Sequence, residues 1–184
     1  MKTEWIEEFT RAAIARNSIL ARKLQPGLSK ARVERVLSRA KVTGETNPII
    51  ALYCWKNGTD LASDPAIPNF NELKVSCSFF PGKPYFFRPL EMSVASFDSF
   101  KAIAENYPKI SEAIGRYFPI FWDGSTEHLA IDVKPSNRNR VLIVDHRSGQ
   151  PIREAYNSFE EFVLDAIRAN VENKPLRCFQ TLAT

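Results

Sequence analysis

Tyr117-Phe-Pro-Ile-Phe-Trp122-Asp123-Gly124-Ser-Thr-Glu127-His128-Leu-Ala-Ile-Asp132-Val133 is the stretch whose reading decides the fold. Two apolar runs flank Asp-Gly, a pair suited to a tight turn because both residues accept the left-handed conformation. The spacing predicts a strand over Tyr117 to Trp122 and a returning strand over His128 to Val133. Outward toward the C-terminus, Pro135-Ser-Asn-Arg-Asn is a polar loop. Arg140-Val-Leu-Ile-Val-Asp145 is apolar on both faces and predicts a buried strand. Ser148-Gly149 turns the chain again. Ser158 and Glu161 have the Ser-x-x-Glu spacing of a capping box. The helix they open is expected to turn Phe159, Phe162, Val163, Ala166, Ile167 and Val171 to one side.

Outward toward the N-terminus, Pro108 to Arg116 predicts a short helix with Ile110, Ala113 and Ile114 inward. Before it, Ser96 is expected to cap a helix carrying Phe97, Phe100, Ile103 and Ala104. Tyr85-Phe86-Phe87 begins a strand after the Pro81-Gly82 turn. Val75-Ser-Cys-Ser-Phe-Phe alternates as a half-buried strand does. Asp64-Pro65 and Ile67-Pro68 mark a loop.

Three helices are expected before that loop. The first runs from about Thr3 to Leu24, with Trp5, Phe9, Ala12, Ala13, Arg16 and Leu20 on a stripe, until Gln25-Pro26-Gly27 stops it. Ser29 caps the second, whose Val33, Val36, Leu37 and Ala40 share a face. The third has Asn47 as cap, Pro48 at its first helical position and Asn57-Gly58 as its stop. Helices, then strands, then a closing helix make an α+β chain. Its sheet is expected to be mainly antiparallel or mixed and twisted, with helices packed on it. No repeat or flexible linker divides the 184 residues, so a single domain over 1–184 is expected.

Composition narrows the class further. With 44% apolar and 25% charged residues the chain reads as globular. No apolar run nears the roughly 20 residues that a membrane helix needs. Met1-Lys-Thr-Glu-Trp-Ile-Glu-Glu places acid where a signal peptide needs apolar residues, so a cytoplasmic location is expected. The three cysteines, Cys54, Cys77 and Cys178, include no Cys-x-x-Cys pair, which suggests neither a disulfide framework nor a zinc site. Residues 1–41 hold ten Lys or Arg against four Glu, a balance of +6; the whole chain's +4 leaves residues 42–184 at −2. The basic section reads either as solvated helix faces or as a nucleic-acid-binding module. Against the latter, no helix-turn-helix spacing and no aromatic stacking platform is present.

Candidate chemistry is sparse. The chain has two histidines, His128 and His146. His128 and Asp132 share a strand face about 13 Å apart at about 3.3 Å per residue. A triad through Cys54 or Cys77 lacks any nucleophile-elbow pattern. Asp132, Asp145 and His146 could meet at a sheet edge, yet they lack metal-ligand spacing. The seven glycines form no phosphate-cradling loop. No catalytic residue, metal or cofactor is expected. Phe79, Phe80, Tyr85, Phe86 and Phe87 read as core. Trp122 has two open readings, a packed core ring or an exposed anchor of the kind that dominates interfaces.

Several of these segments, taken in order, resemble the SUKH superfamily. Its members include fungal cell-wall-assembly regulators of the Smi/Knr type and many bacterial toxin-immunity proteins. The resemblance rests on the helix ending Leu52-Tyr53-Cys-Trp55-Lys-Asn57-Gly58 and on Phe118-Pro-Ile-Phe-Trp122-Asp123-Gly124 with Leu129-Ala-Ile-Asp132-Val. It continues through Val141-Leu-Ile-Val-Asp145-His146 and the closing Ser158-Phe159-Glu160-Glu161-Phe162-Val163. It covers about residues 29–171, with 1–28 a preceding helix and turn and 172–184 a tail. The resemblance implies a non-catalytic protein-binding domain, with a protein partner such as the cognate toxin domain of a polymorphic toxin system, often a nuclease. From position and chemistry, Trp122, Asp123, Glu127, Asp132 and Asp145 are the candidate partner-binding residues.

Overall fold

Seven strands and seven α-helices account for most of the residues described by the structure, a computed structural model covering residues 3–61, 77–137 and 139–180. Five of the strands, β3 (Phe86–Phe87), β4 (Tyr117–Trp122), β5 (Glu127–Asp132), β6 (Val141–Asp145) and β7 (Ile152–Tyr156), form one sheet in chain order. Each neighbouring pair is antiparallel. The fold is therefore α+β with an antiparallel meander. Pro119 interrupts β4 with a bulge opposite β5. The two-residue β3 reaches only Trp122 and Phe121. Pro119 thus lies where no ladder on that side needs its missing N–H.

The sheet separates two cores. Leu129, Ile131 and Ile143 join a large cluster with Phe9 and Ala13 of α1 (Thr3–Arg16), Tyr53 of α4 (Asn47–Trp55) and Phe162 of α6 (Phe159–Glu172). Ala130, Leu142 and Val144, on the other face, meet Phe100 of α5 (Leu90–Asn106). Ile110 and Ala113, from the 3-10 turn Pro108–Ala113, complete that smaller cluster. Phe79, Phe80, Tyr85, Phe86 and Phe87 are all buried. The Phe80 and Phe121 rings lie 5.1 Å apart and Phe87 and Phe121 5.4 Å. Aromatic pairs at such distances add to what area burial alone contributes.

Several expectations need correction. The first helix breaks at Asn17, whose Oδ1 accepts the N–H groups of Ile19 and Leu20 and so caps α2 (Ser18–Lys23). The chain then pairs β1 (Leu24–Pro26) with β2 (Lys56–Thr59). Asn57-Gly58 is therefore a strand segment and not a helix stop. Thr46 precedes α4 and offers no side-chain cap; Glu45 accepts the Asn47 N–H. Helix α3 (Lys30–Arg39) starts from Ser29 as expected.

Helix α5 begins at Leu90, six residues before the Ser96 suggested as its cap. Asn57 Oδ1 accepts the buried Leu90 N–H at 3.0 Å, a cap supplied from β2 and so invisible locally. Cys77 to Phe80 form turns and bends, so the strand reading fails there; Val75, Ser76 and the Asp64-Pro65 and Ile67-Pro68 loop lie outside the described residues. Strand β7 had no counterpart in the sequence reading. Ile114 and Val171, expected inward, are exposed. Ser158 caps α6 by accepting the Glu161 N–H, while Glu161 reaches back to the Asn157 N–H.

Residues 172–184 are not wholly a tail. Helix α7 (Arg177–Gln180) returns to the body, with Leu176 buried and the Phe179 ring stacked 5.5 Å from Tyr85. Helix α1 packs along α6 within the large cluster. Among the described residues no helix is long and apolar enough to cross a membrane.

Candidate functional site

Antiparallel pairing decides which candidate residues meet. Trp122 ends β4 and Glu127 starts β5, so the turn between them closes one end of the sheet. Glu127 stands opposite Asp145 in the ladder, which brings Asp145 to the same end. Asp132 pairs with Tyr117 at the far end. Four of the five candidates therefore converge and one does not.

The turn is pinned by its own side chains. Asp123 Oδ1 accepts the N–H of Ser125 at 2.8 Å and of Glu127 at 3.1 Å. The Trp122 indole N–H donates to Ser125 O at 2.9 Å. Thr126 Oγ1 donates to Asp145 Oδ1 at 2.8 Å. These bonds remove rotamer freedom that docking would otherwise have to remove. Trp122 is half-buried, with Phe86 edge-on beneath it and the Arg88 guanidinium 4.9 Å from the ring centre. Trp122 is thus neither a wholly packed ring nor a wholly exposed one: part of it packs and part reaches the surface.

Two candidates differ from expectation. Glu127 is buried, 2.7 Å from Lys83 Nζ and 3.7 Å from Arg153. Asp132 is fully buried, because the chain ends on either side of β5 bring cations and amides onto it. Arg116 donates Nε and Nη2 to its carboxylate, and Asn137 Nδ2 and the Lys134 N–H also donate. Neither carboxylate faces an approaching partner, so both act inside the fold. Trp122, Asp123 and Asp145 remain at least partly accessible.

The imagined metal trio does not assemble either, since Asp132 lies at the opposite end from Asp145 and His146. Among the described residues no three metal-binding side chains group together. Burial, the larger cause, and Glu34 push the Cys54 thiol up, and burial pushes Cys178 up to about 11. Both therefore stay thiols at neutral pH. His128 is buried against Phe100, its Nδ1 without a hydrogen-bond partner. Its pKa falls to about 3, through burial first and the nearby Arg88 and His146 second.

Sequence reasoning missed Arg88, Thr59 and Lys83. A signal for Arg88 existed: two residues past Phe86, it falls on the same strand face and so belongs beside Trp122. No protein-family model matches the chain, and no curated protein matches it.

Proposed function

We propose that the chain is a non-catalytic protein-binding domain of SUKH type. Its work is to bind and neutralise a cognate bacterial toxin domain in the cytoplasm, or to serve as a related adaptor. The observation that carries this reading is Trp122, a large half-exposed ring held from below by Arg88 and Phe86 and from the side by Ser125. Interface energy concentrates in such rigid aromatic anchors. Asp123 and Asp145 place two partly accessible carboxylates at the same end of the sheet. That suits a cationic partner such as a phosphate-handling nuclease, mainly by raising the encounter rate.

Coexpression with the toxin domain encoded in the neighbouring reading frame tests this. Complex formation should restore growth. Trp122→Ala should weaken binding by about 2 kcal/mol, roughly 30-fold in Kd. Asp123→Lys should slow association while leaving the melting temperature unchanged. Undiminished affinity in both variants would remove this surface from the account.

A further inference from the structure

Among the described residues, one buried charge has no counter-ion. Arg88 is only 9% exposed. Its main-chain N–H donates to Ile120 O, but among the described residues its guanidinium makes no ion pair and no hydrogen bond. Contact with the face of Trp122 recovers part of the cost of desolvating that cation. Thr59 Oγ1, at the end of β2, is also buried and has no hydrogen-bond partner among the described residues.

Arg88 and Thr59 line the same cleft, about 210 Å³ in volume. Phe86, Trp122 and Met92 supply apolar wall. Helix α5 starts at its edge, so the positive end of the helix dipole adds to the charge of Arg88. Asp60 also lines the cleft but is exposed to solvent, and water and salt screen its charge. Sites that enclose a drug-sized ligand measure roughly 300–1,000 Å³. This one has room for a single residue.

We propose that the cleft binds a free carboxylate whose neighbouring carbon carries one apolar group, as the last residue of a polypeptide chain does. The planar fork of Arg88 takes the carboxylate through parallel N–H donors, and the Thr59 hydroxyl donates a further bond. The apolar group beds against Trp122, Phe86 and Met92. An Asp or Glu side chain brings the charge without an apolar branch next to it and so fills half of the site. Naming a partner's chain terminus as the source rests on the protein-binding reading; the chemistry of the cleft does not.

Titration of the full chain with N-acetyl-L-leucine, followed by nitrogen–proton NMR, tests the proposal. The acid should shift the Arg88 Nε–H, the Thr59 amide and the Trp122 indole N–H saturably. N-acetyl-L-leucinamide should bind on the order of ten-fold more weakly or worse, because a neutral amide forfeits the charge-assisted bonds. Arg88→Gln should abolish the response. Should that variant fail to fold, Thr59→Val serves in its place and should weaken binding several-fold. A hexapeptide ending in Leu should bind at least as well as the free acid. Equal binding of acid and amide, no saturable shift, indifference to both substitutions, or exclusion of the peptide would each overturn the proposal. None of these titrations needs the toxin, so their failure is separable from failure of the docking surface at Asp123.

Discussion

The Arg116 guanidinium grips the Asp132 carboxylate with both Nε and Nη2, the shorter contact 2.8 Å, while Asp132 is wholly shielded from water. Burial works to raise the Asp132 pKa, but Arg116, the Lys134 N–H and Asn137 outweigh it and hold the carboxyl below its ordinary value. The ion pair joins the two ends of the β4–β5 hairpin far from Trp122. Asp132→Ala leaves Arg116 facing a void and should cost about 3–5 kcal/mol, the range for breaking one side of a buried pair. Urea unfolding measures the loss. Partner binding by the remaining folded protein should be unchanged.

His128 should make stability pH-dependent. Its folded pKa, about 3, lies below the unfolded value near 6.5, so the folded state holds it neutral and the unfolded state takes up the proton first. The stabilisation is therefore complete above pH 6.5 and declines as pH falls toward 3. Its slope is about 1.4 kcal/mol per pH unit. Asp132 contributes in the same direction, at more acid pH because its ordinary value is near 3.8. Denaturation midpoints between pH 7 and 4.5 should fall for the natural chain. They should stay nearly flat for His128→Leu.

Asp165 should decide whether α7 stays docked. Its carboxylate is buried and accepts bonds from the Tyr156 hydroxyl at 2.7 Å and the Arg177 N–H at 2.9 Å. Arg168 Nη2 lies 2.6 Å from its other oxygen. One side chain thus ties β7, α6 and α7 together. Asp165→Ala strands those donors and should destabilise the protein by about 3 kcal/mol or more. Hydrogen exchange should rise first over residues 177–180. Unchanged protection there would show that Phe179 stacking alone holds the helix.

What the sequence made legible follows a physical division. Strands β4, β5 and β6 and helix α6 carry their own signals, apolar runs bounded by Asp123-Gly124, Ser148-Gly149 and Ser158. Their placement needed no distant partner. Helix α5 was misread because its cap is Asn57, more than thirty residues away in the chain. Strand β7 was missed because Ile152-Arg-Glu-Ala-Tyr156 alternates weakly and its arginine and glutamate point at charges on other elements. Of the candidate site, the end containing Trp122 and Asp123 was legible from the turn. The burial of Glu127 and Asp132 was not, since it depends on Lys83, Arg116, Arg140 and Arg153 arriving from elsewhere.

Gly58 is a position where a single methyl group should do serious harm. Its φ of +81° lies where side chains are strained, and a Cβ there would stand 2.2 Å from Pro89 N and 2.5 Å from the Arg88 carbonyl carbon. Every close atom is backbone of Arg88 or Pro89, so no flexible side chain can yield. The clash would push β2 away from the start of α5, taking with it the Asn57 side chain that caps Leu90 and bonds Gln25. Gly58→Ala should therefore cost several kcal/mol, beyond the roughly 1 kcal/mol expected for left-handed strain alone. Asn57→Ala removes only the cap and should cost about 1–2 kcal/mol. Comparing the two melting curves separates crowding from capping, and a Gly58→Ala variant as stable as Asn57→Ala would contradict the close approach of β2 to Pro89.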